Sequence, residues 1–225
     1  MPQTAVKPVR VWDLPTRLFH WVLALTIVGS VVSAKIGGAA MEWHFRCGFL
    51  VMGLLMFRLA WGLIGGRHSR FVNFIYSPLT LLRYLRGRTT PSEQLDVGHN
   101  PLGSLSVFAV LGFLLIQVST GLLADDEIAS VGPLNKFVSS ATASLATGWH
   151  KAWGQWILIA LVATHIGAVV FYLVVKKHNL VRPMLGGDKT LPANTPSSAD
   201  NTRTRLLALV IALLSAAAVT AVMRL

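Results

Sequence analysis

The sequence predicts an all-α integral membrane protein, a four-helix transmembrane bundle followed by an additional C-terminal transmembrane helix. Three observations carry that expectation. The chain is 53% hydrophobic with 13% charged residues, a balance that suits a lipid-embedded protein better than a soluble domain. Five apolar stretches, at 17–34, 44–64, 102–124, 152–175 and 206–223, are each about the length a helix needs to cross a bilayer. The basic residues are concentrated in alternate connections between those stretches, which is the pattern of a multi-pass membrane chain.

Taken in order, residues 1–16 form a cytoplasmic N-terminal arm, and Lys7, Arg10 and Arg17 give this end its positive charge. The first span contains His20. Val32-Ser33-Ala34 resembles a small-residue cleavage site, but the arm before the span is long, holds Trp12 and Asp13, and cleavage would discard a histidine, so an uncleaved span is expected. The second span opens with His44. The connection after it carries Arg67, Arg70, Arg83, Arg86 and Arg88 and faces the cytoplasm. Within it, 71–85 reads as an amphipathic interfacial helix interrupted at Pro78, a candidate floor for a quinone pocket. The connection after the third span holds Asp125, Asp126 and Glu127 and faces outward. Lys176, Lys177, Arg182, Lys189, Arg203 and Arg205 return the chain to the cytoplasm after the fourth span, leaving the C-terminus periplasmic. Residues 191–204 are polar, with Pro and Ser, and read as a flexible tether to the fifth span. The resulting division is an arm at 1–16, a four-helix domain at 17–183, a linker at 184–205 and a fifth helix at 206–225. Trp12, Trp21, Trp43, Trp61, Trp149 and Trp153 fall near span ends, as interfacial anchors do. Basic residues that flank spans need membrane lipid and no nucleic acid.

The histidines carry the chemistry. His150 and His165 are fifteen residues apart on one apolar segment, which in a regular helix separates them by about 22 Å along the axis and about 60° around it. With spans alternating in direction, His20 and His165 share one membrane depth, and His44 and His150 the other. A single intramembrane histidine is ordinarily a hydrogen-bonded packing residue between helices. Ionisable groups at depth are costly, however, and four that match in pairs point to metal ligation. Cys47 is the one cysteine, so covalent haem attachment through a CxxCH motif, iron–sulfur clusters and cysteine-held zinc are all excluded. Two non-covalent b haems, each held by two imidazoles, meet these requirements. His68 and His178 read as solvated residues, and His99 as a capping or haem-edge residue.

The segments VWDLPTRLFHW, EWHFRCGFLVMGLLMFRLAWGLIG, GHNPLG and WHKAWGQWILIALVATHIGAV together resemble the bacterial cytochrome b561 and nickel–iron hydrogenase cytochrome b subunit family, over 9–183. The resemblance implies a four-helix bundle with two b haems near opposite membrane faces, moving electrons between quinone and a partner protein. It assigns His20 and His165 to the cytoplasmic-side haem, and His44 and His150 to the outer one. The fourth-helix histidines of that family are usually about fourteen residues apart; the extra residue here is either absorbed by a local π-bulge or, in a regular helix, rotates the second haem or passes its ligation to another residue. The fifth span is a further departure.

Haem propionates are anionic, which makes Arg17 and Arg58 candidates for the inner haem and Arg46 for the outer. The function expected is a dihaem electron-transfer subunit exchanging electrons with a periplasmic redox protein, a c-type cytochrome or a hydrogenase. A haem-free transporter or metal-handling protein would use the same paired histidines, although the spans lack the Asp and Glu that a cation pathway normally recruits. A stand-alone superoxide:quinone oxidoreductase is a third reading.

Overall fold

A computed structural model describes residues 5–90, 93–126 and 130–225; Glu127, expected in the outward acidic connection, lies outside them. The spans are α1 (Leu14–Ile36), α2 (Met41–Ile64), α4 (Pro101–Leu123), a continuous run Ser140–Val174, and α8 (Thr202–Met223). The long run consists of α5 (Ser140–Gly148), a π-helical turn over Trp149–Gly154 and α6 (Gln155–Val174). At most 33% of any span's most apolar window is buried within the chain, so most of these side chains face outward, as lipid-exposed helices require. This is an all-α, multi-pass membrane protein.

Caps explain where the helices start. Asp13 Oδ1 accepts the Thr16 amide at 2.8 Å, so α1 begins three residues before the apolar stretch does. Ser139 accepts the Thr142 amide and opens α5 well upstream of the expected fourth span. Ser77 accepts the Thr80 amide at 3.1 Å, with Pro78 as the first residue of α3 (Pro78–Leu85). Pro78 thus starts a short helix rather than interrupting a longer one, and the residues before it include a 3₁₀ turn at Phe71–Asn73.

The chain divides into two compact units, 1–19, 58–108 and 165–209 in the first and 20–57, 109–164 and 210–225 in the second. In the first, β1 (Val6–Arg10) pairs antiparallel with β2 (Asp188–Pro192), from Val6↔Pro192 to Arg10↔Asp188. Helix α7 (Val181–Gly186) ends at Gly187 with φ +94°, in the left-handed region that favours glycine. The Gly187 carbonyl accepts the amides of Val11 and Trp12 at 2.9 and 3.0 Å.

The expected flexible tether is therefore a correction. The stretch starts in β2, and beyond it Ser198 donates from its amide to the Arg10 carbonyl (2.7 Å) and from Oγ to the Val11 carbonyl (2.9 Å). Asp200 accepts from Arg10 and Arg205, both at 2.9 Å. Burial pushes the Asp200 carboxyl up, but the hydrogen bond from Arg205, the Leu14 amide and the charges of Arg205 and Arg10 hold it below the usual carboxylate value. These polar side chains serve main-chain carbonyls and arginines rather than water.

Two of the six tryptophans are not interfacial anchors. Trp12 and Trp61 are 5% and 0% exposed, and Trp61 Nε1 donates to Asp13 Oδ1. Trp43 and Trp153, at 59% and 69%, keep the anchor role's exposure. In the second unit α8 buries Ile211, Ser215 and Val219, and a Cβ on Gly53 of α2 would meet Val219 Cγ2 at 3.4 Å. The fifth helix is packed against α2 there.

Candidate functional site

The second unit holds a cavity of about 300 Å³ between α1, α2, α4 and the π turn, lined mainly by apolar side chains and by His44 and His150. His44 lies in the first turn of α2, and the π turn carries His150. Their ring centres are 5.8 Å apart with planes at 82°. Two imidazoles facing each other across one metal, with metal–nitrogen bonds of about 2 Å, have centres roughly 6 Å apart. The spacing fits a shared ion.

The ring nitrogens agree with that fit. His44 Nδ1 donates to the Ser30 carbonyl at 2.9 Å and lies 3.1 Å from Ser30 Oγ. His150 Nδ1 donates to the Gln117 carbonyl at 2.9 Å. A carbonyl can only accept, so each ring carries its proton on Nδ1 and keeps the Nε2 lone pair for a metal. Main-chain carbonyls in this role fix tautomer and orientation. Among the described residues no cluster of three or more His, Cys, Asp or Glu is placed to hold a metal ion; a ligand that brings its own equatorial nitrogens needs only two. Gly48 and Gly121 both line the cavity. A Cβ on Gly121 would sit 2.8 Å from His150 Cε1, so a larger residue there would displace the ring. The chain's residues fit a bis-imidazole haem at this place.

Of the alternatives left by the fifteen-residue interval between His150 and His165, the bulge is the one found: Trp149–Gly154 form a π turn, which accommodates one residue more than an α-helical turn. His20 lies in the second unit, edge-on to Trp21 with ring centres 5.0 Å apart, and His165 in the first. Their pairing rests on the sequence alone.

The arginines occupy different settings. Arg46 pairs with Glu42 and stands 5.0 Å over the Trp43 ring; it does not line the cavity. Lys151 does, and the sequence reading passed over it because a lysine at a span start resembles any interfacial cation. Arg17 donates to the Leu185 carbonyl and lies 4.0 Å from Asp200. Arg58 is only 3% exposed; it donates to the Ser69 carbonyl at 3.0 Å and stacks 4.6 Å from the Phe71 ring, so it does not snorkel to an interface. Ser69 Oγ donates to Asp13 Oδ2 at 2.7 Å and lies 2.6 Å from Thr16 Oγ1. Gly66 makes room for this carboxylate, since a Cβ there would fall 2.2 Å from Asp13 Oδ2. This buried network went unread in the sequence, although an Asp directly before a helix is the signal of a cap.

His99 does not cap α4. Asn100 does, accepting the Gly103 amide at 2.8 Å, while the His99 ring packs 4.6 Å from Trp12 and 4.4 Å from Phe74. His68 is half-buried, and its Nε2 donates to the Pro196 carbonyl at 2.9 Å. Burial lowers its pKa, the charges of Arg67 and Lys189 add to that, and the Pro196 carbonyl works against it. His68 is therefore not the solvated residue expected, whereas His178 is exposed.

The chain is similar to known membrane cytochromes. The family model described as prokaryotic cytochrome b561 matches residues 11–187. The probable Ni/Fe-hydrogenase B-type cytochrome subunit of Azotobacter vinelandii is 29% identical, over 86% of this chain and 92% of its own length. The corresponding protein of Cupriavidus necator is 25% identical, over 83% and 88%. The probable Ni/Fe-hydrogenase 1 B-type cytochrome subunit of Escherichia coli is 21% identical, over 79% and 88%. No solved structure matches the chain. The chain belongs to the prokaryotic cytochrome b561 family, and it is a multi-pass membrane cytochrome that carries haem b and transfers electrons.

Proposed function

We propose that the protein is a dihaem cytochrome passing electrons across the bacterial inner membrane, between the quinone pool and a periplasmic redox partner. The observation that carries this reading is the His44–His150 pair, with ring centres 5.8 Å apart beside an apolar cavity. His44 and His150 hold the outer haem; His20 and His165 hold the inner one. Haem b, when bound, would supply a one-electron iron couple, and two histidines holding each iron would favour outer-sphere transfer over oxygen chemistry. The protein turns each Nδ1 to a main-chain carbonyl, excludes water with apolar side chains, and offers cations for the propionates. Lys151, which lines the cavity, serves the outer site in this way rather than Arg46, and Arg17 and Arg58 serve the inner.

The relatives named as hydrogenase cytochrome subunits favour a hydrogenase as partner, with a c-type cytochrome as the alternative. The charge pattern favours a cytoplasmic N-terminus and a periplasmic C-terminus. The four-helix unit at 17–183 is the electron-transfer domain, with 184–205 joining it to the fifth helix. A cavity of about 250 Å³ in the first unit, lined by His68, Phe74, Tyr76 and His99 among others, is the candidate quinone headgroup site. The haem-free transporter reading is weaker, because a bare ion needs more protein ligands than a haem, and among the described residues no cluster of three or more His, Cys, Asp or Glu is placed to hold one.

The test is a dithionite-reduced minus oxidised spectrum of purified protein, with pyridine haemochrome quantification, on wild type and the His20→Ala, His44→Ala, His150→Ala and His165→Ala variants. Two b haems per chain, lost pairwise as assigned, are expected. A colourless protein from haem-replete cells would remove the proposal.

A further inference from the structure

We infer that Gln117 is a positioning residue that fixes the orientation of His150, and with it the crossed arrangement of the two imidazoles. This rests on the reading that His44 and His150 share one haem. A π turn shifts main-chain hydrogen bonding by one residue and disturbs the usual pairing of carbonyls with amides four positions on. The His150 carbonyl lies in that turn, and Gln117 Nε2, from α4, donates to it at 3.0 Å. In return the Gln117 carbonyl accepts the His150 Nδ1 proton at 2.9 Å. One residue therefore grips the ligand at both its backbone and its ring.

The close approach is built into the neighbours. A Cβ on Gly154, in the π turn, would fall 1.9 Å from Gln117 Oε1, so only glycine leaves space for the amide. Gln117 is 9% exposed, and its Oε1 is buried with no hydrogen-bond partner. An unsatisfied amide oxygen in an apolar helix is unfavourable, and a leucine there would avoid it. The donor end is what the position retains. His44 is held separately, by Ser30, and the His150 ring meets, besides the Gln117 carbonyl, only the more distant Thr120 Oγ1 at 3.4 Å among the described hydrogen-bond partners, so Gln117 contributes most to the angle between the rings, 82°.

Ring angle is observable. Nearly perpendicular axial imidazoles bring two iron d orbitals close in energy, and the oxidised low-spin haem then gives a highly anisotropic electron paramagnetic resonance signal with one low-field feature. Parallel rings give a rhombic signal. A carbonyl that accepts the Nδ1 proton also makes the imidazole a stronger donor, favouring the oxidised iron.

The experiment uses the full-length, haem-loaded protein in detergent. Wild type is expected to show a highly anisotropic signal that His44→Ala abolishes. Gln117→Leu is expected to keep both haems, move that signal towards the rhombic form and shift the midpoint potential of one haem while the other stays unchanged. Gly154→Ala, which displaces the Gln117 amide without removing it, is expected to do the same, and it decides the matter if Gln117→Leu fails to accumulate. A rhombic wild-type signal at this site, or an unchanged spectrum and potential in the variants that load haem, would overturn the inference. A wild-type protein without a b haem sensitive to His44→Ala and His150→Ala would instead overturn the dihaem reading on which it stands.

Discussion

Asp13 has no exposed surface, yet its carboxylate accepts from the Thr16 amide, Trp61 Nε1 and Ser69 Oγ. Charge-assisted hydrogen bonds of this kind contribute more than neutral ones, and leaving their donors unpaired is costly. Asp13→Ala is expected to destabilise the haem-loaded protein by about 3 kcal/mol, read as a lower midpoint when haem absorbance is followed on heating; an unchanged midpoint would refute it. Arg58, held against Ser69 and Phe71, places a buried positive charge in the first unit. Arg58→Leu is expected to lower the midpoint potential of the inner haem, because a nearby cation favours the reduced iron, and an unchanged redox titration would dismiss that role. His68 adds a pH dependence. Its folded pKa is depressed, chiefly by burial, so the unfolded state binds more protons below about pH 6.5. Local stability is full above that pH and falls as pH drops through it towards the lower folded value. The hydrogen-exchange protection factor at Ser198, whose Oγ accepts the His68 amide, should therefore fall below about pH 6.5 in wild type and lose that dependence in His68→Gln.

The elements were legible to the degree that they depend on local sequence. Apolar length alone located all five spans, while the fifteen-residue interval from His150 to His165 left a bulge and a regular helix both open, and the π turn at Trp149–Gly154 decides between them. Helix starts were misplaced because they are set by single capping side chains, Asp13, Ser77 and Ser139, which a hydropathy window averages away. The β1–β2 ribbon was invisible for a different reason. VKPVR and DKTLP are short, lack clear alternation and pair across nearly the whole chain, so nothing local announces them. The outer histidine pair was readable from depth matching, while Gln117 was not, because a lone amide in an apolar span gains meaning only once its neighbour is known.

For the whole molecule, the family match ends at residue 187, just before β2 and the Ser198 and Asp200 contacts with the arm. A chain truncated after Asn201 keeps those contacts and loses only α8; one truncated after Gly187 loses both. The shorter chain is expected to be the less stable, with a midpoint lower by roughly 2–4 °C for each kcal/mol lost. Equal midpoints would show that the 188–201 segment contributes nothing.

The ribbon also imposes an order on biogenesis. Val6 finds its partner only in Pro192, and every residue of the first four spans is translated in the interval. Loop closure over such a distance costs only a slowly growing entropy, so synthesis and membrane insertion set the delay. The arm must wait as a single unpaired strand while four helices enter the bilayer, and during that window it is the segment most open to a protease or a chaperone.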